Sequence, residues 1–147
     1  MAAATSIILS ACLAGFLDIS ATGTVMARQG VPFQRLLQFV ASGALGSSAF
    51  DGGKKTAGAG LLFHFLVAGA VASIYYVVSR RIPISADRPV LFGVLYGITV
   101  HLFMSRIVVP LSRAPKREFS IKAFLTQLTI HIFCVGLPIS LTQHYLS

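Results

Sequence analysis

The sequence is short of charged residues, and this shortage decides its broad class. Only 11% of its 147 residues are charged and 55% are hydrophobic, whereas an ordinary soluble domain carries about a quarter charged residues. The chain also lacks any long stretch of low hydrophobicity and high charge, which excludes an extended disordered tail. With a mean hydropathy of +0.80, the composition predicts an integral membrane protein with a single domain.

Specific catalytic motifs are also missing. The sequence contains no His-Glu-x-x-His motif, no Cys-x-x-Cys pair and no glycine-rich phosphate loop. Cys12 and Cys134 lie inside apolar runs and are expected to be small packing residues rather than a disulfide. No basic run is interleaved with aromatic residues in a polar segment, so we expect no nucleic acid as a partner. The first twenty residues lack Lys and Arg, so we interpret them as a retained first span rather than a cleaved signal peptide.

Four apolar runs have the length of membrane-spanning helices. A helix needs ~20 residues to cross a bilayer core, and the runs cover residues 5–27, 57–79, 89–111 and 120–145. The fourth run is long for one span, and we expect Pro138 to kink it or its final turn to leave the membrane. The predicted fold is therefore all-α, an integral membrane four-helix bundle in which residues 1–147 form a single transmembrane domain.

The connection after the first run has the pattern of an amphipathic helix. Pro32 occupies a helix-start position, and the segment 32–44 is too short and too polar to span the membrane. Its apolar residues recur at helical spacing and are Phe33, Leu36, Leu37 and Val40. The pattern predicts an interfacial amphipathic helix. A second hypothesis makes the segment a lid or re-entrant piece over a cavity between the spans.

The basic residues predict the orientation of the chain and its lipid partners. The first and third connections share a face and are the more basic, whereas both termini lack Lys and Arg. The more basic face is usually cytoplasmic, so we expect both termini on the outside. The net charge of +8 is explained by contact with the anionic headgroups of a lipid bilayer.

One ionisable side chain lies deep in each apolar run. Such groups cost at least ~2.5 kcal/mol at membrane depth and therefore face the bundle interior. Small and polar residues recur near each of them at a spacing of about four residues, which favours a contact with another helix. At 1.5 Å per residue all four lie ~10–16 Å from the face of the first connection, so we expect one common layer. The four residues are Asp18, His64, His101 and His131.

Several chemistries would use this layer. All four side chains are suitable metal ligands for Zn, Fe, Mn or Cu, and His64 and His131 are candidate axial ligands of haem b. A proton relay through Asp18 and a histidine is a third hypothesis. The default interpretation needs no cofactor: the histidines hydrogen-bond across helix interfaces and Asp18 pairs with one of them.

Other ionisable residues have simpler interpretations. Arg106 lies about one turn from the third connection, and we expect it to snorkel to the basic face or to lie at an interface rather than to line a pore. His144, near the end of the chain, is expected to be interfacial. No Ser, His and Asp have the spacing of a hydrolase triad, so no catalytic residue is predicted.

Five segments carry a resemblance that covers nearly the whole chain: GFLDI, RLLQFVASGALGSSAFDGG, GAGLLFHFLVAGAVASIYYVVSRRIP, LYGITVHLFMSRIVVPLS and HIFCVGLPISL. Together they resemble a group of small bacterial inner-membrane proteins of unknown function, labelled YagU-like. The resemblance implies four helices and a bacterial inner-membrane location, with no established activity or cofactor. In that membrane, termini on the outside, as the basic residues predict, would be periplasmic. At His101 and Arg106 the group would have an aromatic residue and Asn, so the resemblance favours a smaller set of Asp18, His64 and His131.

The sequence therefore leaves three functional hypotheses. The first is a non-enzymatic accessory or structural subunit of a larger membrane complex, because the chain is small and its loops are short. The second is a membrane metal- or haem-binding protein with an intramembrane Asp/His site. The third is proton or small-solute transport, which requires a homo-oligomer because four spans scarcely surround a solute path.

Overall fold

The computed structural model describes residues 2–146, and of Ala86 the backbone alone. Helix α1 spans Ala3–Arg28, α2 spans Phe33–Leu45, α3 spans Gly53–Arg81, α4 spans Pro89–Leu111 and α5 spans Ile121–Leu146. A 3-10 helix at Gly46–Asp51 and one helical turn at Ile84–Asp87 lie in the connections. Residues 2–146 contain no strand. The predicted all-α four-helix bundle is confirmed.

The four long helices, α1, α3, α4 and α5, are long and apolar enough to cross a membrane. They expose large apolar side chains: Phe16 on α1, Leu66 on α3 and Phe133 on α5 are each about 60% exposed. In water such a surface would drive aggregation, whereas lipid chains solvate it. The chain is a multi-pass membrane protein.

The helix ends follow the predicted spans closely. The first two predicted spans lie inside longer helices, and the third coincides with α4. The fourth begins one residue later than predicted because Ser120 is the N-cap, whose hydroxyl accepts a hydrogen bond from Ala123 N at 3.3 Å. Lys116 ends α4 by donating to three carbonyl oxygens, the shortest contact being 2.6 Å to Pro110 O.

The half of the bundle nearest the chain termini is closed. Small buried side chains let the helices approach, and Ala72 of α3 and Ile139 of α5 have no exposed surface. Polar groups within this half are hydrogen-bonded. The Ser140 hydroxyl donates its one proton to Pro89 O at 2.7 Å. The Ser140 oxygen therefore accepts from the Tyr75 hydroxyl. Gln143 Nε2 contacts Ser10 Oγ and a backbone carbonyl of α3. This half therefore combines close packing with interhelical hydrogen bonds.

The other half is wider, and α2 packs inside it. Leu36 and Leu37 of α2 pack with Ile19 of α1 and Ala57 of α3 in a second apolar cluster. Gly60 makes this contact possible, because a side chain there would meet the backbone of Leu37. The amphipathic helix predicted at 32–44 is thus found at Phe33–Leu45, with its apolar face against α1 and α3.

Both α4 and α5 contain a π-helical turn. The turns are Met104–Val108 and His131–Gly136, and each lies shortly before a proline, Pro110 or Pro138. A proline ring collides with the carbonyl four residues earlier in a regular α-helix, and a wider turn relieves that contact. The irregularity expected at Pro138 is therefore a π turn before it, after which the helix continues to Leu146.

Candidate functional site

The four predicted site residues all line one large cavity. Its volume is about 830 Å³, and its lining includes Asp18 of α1, His64 of α3, His101 of α4 and His131 of α5. The cavity lies in the wide half of the bundle, and these four side chains form its floor at the level where the closed half begins. The structure thus brings all four predicted site residues to one layer.

Within the floor, Asp18 and His64 form one pair. Asp18 Oδ2 lies 3.9 Å from His64 Nε2, a distance too long for a hydrogen bond. His64 Nε2 instead lies 2.8 Å from the carbonyl oxygen of Gly15. Because a carbonyl can only accept, His64 Nε2 carries the proton and donates to it. The ring is thereby fixed against α1, and its Nδ1 is left as an acceptor when the ring is neutral.

His101 and His131 form the second pair. Their Nδ1 atoms are 3.3 Å apart, and His131 Nδ1 also lies 2.8 Å from the carbonyl oxygen of Gln127. By the same argument His131 Nδ1 carries a proton and donates to Gln127 O, so His101 Nδ1 is the acceptor in the contact between the rings. When neutral, His101 therefore carries its proton on Nε2.

Two polar atoms of the floor have no hydrogen-bond partner among the described residues. They are Asp18 Oδ1 and His101 Nε2, and both are buried. His101 is only 3% exposed and packs edge-on against Phe124, with ring centroids 4.6 Å apart. Buried polar groups are normally bonded. Asp18 Oδ1 and His101 Nε2 are thus the polar atoms of the floor that are enclosed by the protein without a partner in this part of the chain.

The arrangement of these side chains bears on the metal hypothesis. Within residues 2–146, no three His, Cys, Asp or Glu side chains are placed to hold a metal ion together. Asp18, His64, His101 and His131 instead form two pairs. The four-ligand metal set and the use of His64 and His131 as haem ligands stay predictions.

The walls and the mouth of the cavity differ in chemistry. Apolar side chains such as Phe39 of α2, Val67 of α3 and Val108 of α4 form the walls. Arg117 and Lys122 line the mouth at the third connection, where the Arg117 guanidinium lies 4.3 Å from the centre of the Phe39 ring. Because Phe39 belongs to α2, the amphipathic helix is one wall of the cavity.

A smaller cavity of about 80 Å³ lies next to the floor, toward the closed half. Asp18, His64 and His131 line it together with apolar residues such as Ala14 and Ile139. These three ionisable residues line both cavities, and they therefore separate the large cavity from the packed core.

Arg106 and His144 lie outside this site. Arg106 is exposed, and its guanidinium is 5.5 Å from the ring centres of Phe119 and Phe124, near the third connection. His144 is exposed near the end of α5 and contacts Tyr145. Neither residue lines the large or the small cavity. The expected snorkelling of Arg106 stays a prediction.

Sequence reasoning missed parts of the site that depend on tertiary contacts. Thr22 Oγ1 donates to Gln127 Oε1 at 3.3 Å and joins α1 to α5 beside the floor. Helical spacing alone does not indicate this bond. The π turns were also missed, although prolines inside two spans were a usable signal.

Comparison with known proteins adds no family, so the YagU-like resemblance stays a prediction. No protein-family model, no curated protein and no solved structure matches this chain.

Proposed function

We propose that the protein is a non-enzymatic membrane protein that binds a lipid-soluble small molecule in the large cavity. The observation that carries the proposal is the shape and chemistry of that cavity: apolar walls lead from a basic mouth to a floor of four ionisable side chains. Ligand sites are typically concave and mostly apolar, with a few polar groups that orient the ligand.

The size of the cavity fits this function. Its volume of about 830 Å³ lies within the ~300–1,000 Å³ of small-molecule sites. An empty apolar space of this size would be costly, because its lining loses dispersion contacts. A lipid-soluble occupant supplies those contacts, and the surrounding bilayer is its natural source.

Charge restricts the occupant further. Arg117 and Lys122 line the mouth, and within residues 2–146 no carboxylate lies at ion-pair distance from either. Among the described residues, Asp18 is the one carboxylate in the lining of the cavity. The charged residues therefore favour a neutral or anionic molecule over a lipophilic cation.

Solute transport and a role as an accessory subunit are the other two functional hypotheses to be compared with ligand binding. The closed half of the bundle lies directly beyond the floor, which supports binding in preference to passage of a solute through one chain. A role as an accessory subunit of a larger membrane complex is compatible with ligand binding and stays a prediction.

Photolabelling in native membranes tests the proposal. The probe is a long-chain alcohol that carries a diazirine in its chain, and labelled residues are mapped by mass spectrometry. We expect labels on Phe39, Met104 and Val108 inside the cavity, reduced severalfold in Val108→Trp, which fills the space. Leu66→Trp is the matched control, because Leu66 is 60% exposed on the outer face of α3, and it is expected to leave cavity labelling unchanged.

Labels confined to outward-facing residues such as Leu66 and Phe133 would contradict ligand binding in the cavity. Cavity labelling that is equal in Val108→Trp and in the unaltered protein would also contradict it, because the label would then come from elsewhere.

A further inference from the structure

We infer that the ligand is a single-chain anionic amphiphile, bound with its head at the mouth of the large cavity and its apolar chain along the walls. This inference rests on the proposed function and names the chemical class of the ligand. The juxtaposition behind it is two cationic side chains at the rim of an apolar cavity, Arg117 and Lys122, which have no carboxylate partner among the described residues.

The two cations at the mouth differ from the neighbouring Lys116 in what they contact. Lys116 donates to three carbonyl oxygens at the end of α4, and its ammonium thereby offsets the partial negative charge of that helix end. The Arg117 guanidinium instead lies over the Phe39 ring, 4.3 Å from its centre, and Lys122 is exposed. Both charges of the rim therefore stay available to an anion in the cavity.

The beginning of α5 adds positive charge to the same mouth. Ser120, Lys122 and Ala123 of this helix end line the cavity. The Ser120 hydroxyl bonds the N–H of Ala123, whereas the N–H groups of Ile121 and Lys122 belong to the first turn and have no acceptor within the helix. The aligned peptide dipoles leave partial positive charge at such an end. A guanidinium, an ammonium and a helix end together favour an anionic head at the mouth.

The rest of the cavity determines the direction of the chain. The floor contains the carboxyl group of Asp18, whose side chain is 18% exposed, so the floor does not attract an anion. The walls between floor and mouth are apolar, as at Val67 and Val108. An amphiphile therefore lies with its head at the third connection and its chain toward the floor. It has this same orientation in a bilayer leaflet, so it enters without moving its charge through hydrocarbon.

The depth of the cavity predicts the length of the chain. On α5, Lys122 at the mouth and His131 at the floor are nine residues apart, which is ~14 Å along a helix. An extended chain advances ~1.2 Å per bond, because the three bonds of an extended residue span up to ~3.6 Å. About twelve bonds cover this depth, which corresponds to a chain of about twelve to fourteen carbons. A phospholipid with two chains is larger than the drug-sized ligands that cavities of this volume hold.

The test compares two photoprobes that differ in the head group alone, tetradecanoic acid and tetradecanol, each with a diazirine near the end of its chain. The full chain is labelled in phosphatidylcholine nanodiscs at alkaline pH, where the acid is ionised. For each probe, the label on Met104 inside the cavity is divided by the label on the outward-facing Phe133, which corrects for the amount of probe in the bilayer. We expect this corrected label to be about tenfold greater for the acid, the factor that corresponds to ~1.4 kcal/mol.

Charge variants connect this preference to the mouth. In the Arg117→Gln, Lys122→Gln double variant the acid preference is expected to disappear, while the alcohol still labels Met104 because the cavity is intact. Lys122→Gln alone keeps the contact of Arg117 with Phe39 and is expected to lower the preference severalfold. The matched control is Lys54→Gln with Lys55→Gln, because both lysines are exposed and neither lines the cavity. This variant also loses two charges, and we expect it to keep the full acid preference.

A competition experiment distinguishes a single-chain ligand from the anionic phospholipids of the bilayer. Unlabelled tetradecanoate and phosphatidylglycerol are added to the nanodiscs in separate samples, at the same mole fraction of the lipid. We expect tetradecanoate to reduce the corrected acid label on Met104 severalfold more than phosphatidylglycerol does.

The outcomes separate this inference from the function on which it rests. Equal corrected labels for acid and alcohol, or an acid preference that survives in both variants of the mouth, overturn the inference and leave ligand binding in place. An equal loss of preference in the Lys54→Gln, Lys55→Gln variant also overturns it, because the attraction would then belong to the whole basic face. Equal displacement by phosphatidylglycerol overturns the single-chain assignment. Absence of label on Met104 with both probes overturns the proposed function as well.

Discussion

At the scale of single residues, the cavity floor is a source of instability in the ligand-free protein. Asp18 Oδ1 and His101 Nε2 are buried without a partner among the described residues, and each such group costs ~1–3 kcal/mol. Buried polar groups without a partner are rare in native structures. Removing one of them is therefore expected to stabilise the fold.

His101→Phe tests the cost of this buried group. The substitution removes the unused N–H and keeps a ring of similar size against Phe124, while His131 retains its bond to Gln127 O. We expect the variant to be more stable by about 1 kcal/mol, seen as a higher Tm in detergent. A lower Tm for the ligand-free variant would contradict the cost assigned to His101 Nε2.

Gly97 fixes how closely α4 and α5 approach beside the histidine pair. A Cβ added at Gly97 would lie 2.6 Å from Ile132 Cα and 2.7 Å from His131 O, so Gly97→Ala must push the two backbones apart. We expect a loss of ~1–3 kcal/mol, as for overpacked cores, measured as a fall in Tm in detergent.

Gly69→Ala is the matched control for Gly97→Ala. Gly69 lies inside α3, and a Cβ there meets nothing within 4 Å. Alanine favours helix by ~0.5–1 kcal/mol over glycine, so this variant is expected to be neutral or slightly more stable. Similar losses in both variants would show that the α4–α5 contact is not the cause.

At the scale of helices, hydropathy was sufficient to place the four spans along the chain but not to predict the π turns inside two of them. Length and apolar content predicted α1, α3, α4 and α5 to within a few residues, and Pro32 with the following apolar spacing predicted α2. The π turns depend on how a proline is accommodated against a neighbouring helix. Hydropathy carries no information on that, so the turn at His131–Gly136 was not predicted.

The π turn of α5 holds one residue more than a regular helix needs between Ile130 and Ile139. Deleting Phe133, which faces outward, is expected to convert the turn to α-helix and preserve the buried faces on both sides. Because Pro138 would then collide with the helix backbone at a cost of ~3 kcal/mol, the deletion is expected to lower Tm strongly by itself and much less in a Pro138→Ala background.

Deletion of Leu125 in the same Pro138→Ala background is the control. Leu125 lies in a regular part of α5 and is 51% exposed. Its deletion rotates the side chains before it by ~100° about the helix axis relative to those after it, so one of the two buried faces of α5 no longer meets the bundle. We expect no folded protein from this variant. Equal tolerance of both deletions would contradict the role of the π turn as the site of the extra residue.

At the scale of the whole molecule, the sequence predicted the common layer of ionisable residues but not their partners. Depth along each span brought Asp18, His64, His101 and His131 to one level, as the cavity floor shows. The division into two pairs depends on Gly15 and Gln127 carbonyl oxygens, which every residue possesses and which no sequence pattern marks. The cavity itself arises because α2 packs inside the wide half, a contact between distant segments.

The orientation in the membrane is testable with single cysteines. In a Cys12→Ala, Cys134→Ala background, Ser47→Cys reports the first connection and Asp87→Cys the second, and both positions are exposed. Because the first and third connections are the more basic, we expect a membrane-impermeant maleimide to label Asp87→Cys on intact cells that express the protein. Ser47→Cys is expected to react only after permeabilisation, and the reverse pattern would invert the predicted topology.

The closed half of the bundle also determines which molecules compete for the cavity. Since the large cavity has its mouth at the third connection and ends at the ionisable floor, an occupant must enter and leave through the same leaflet. In a bilayer whose two leaflets differ in composition, the occupancy of the cavity therefore follows the concentration of the ligand in that leaflet. It does not depend on the concentration of the ligand in the opposite leaflet.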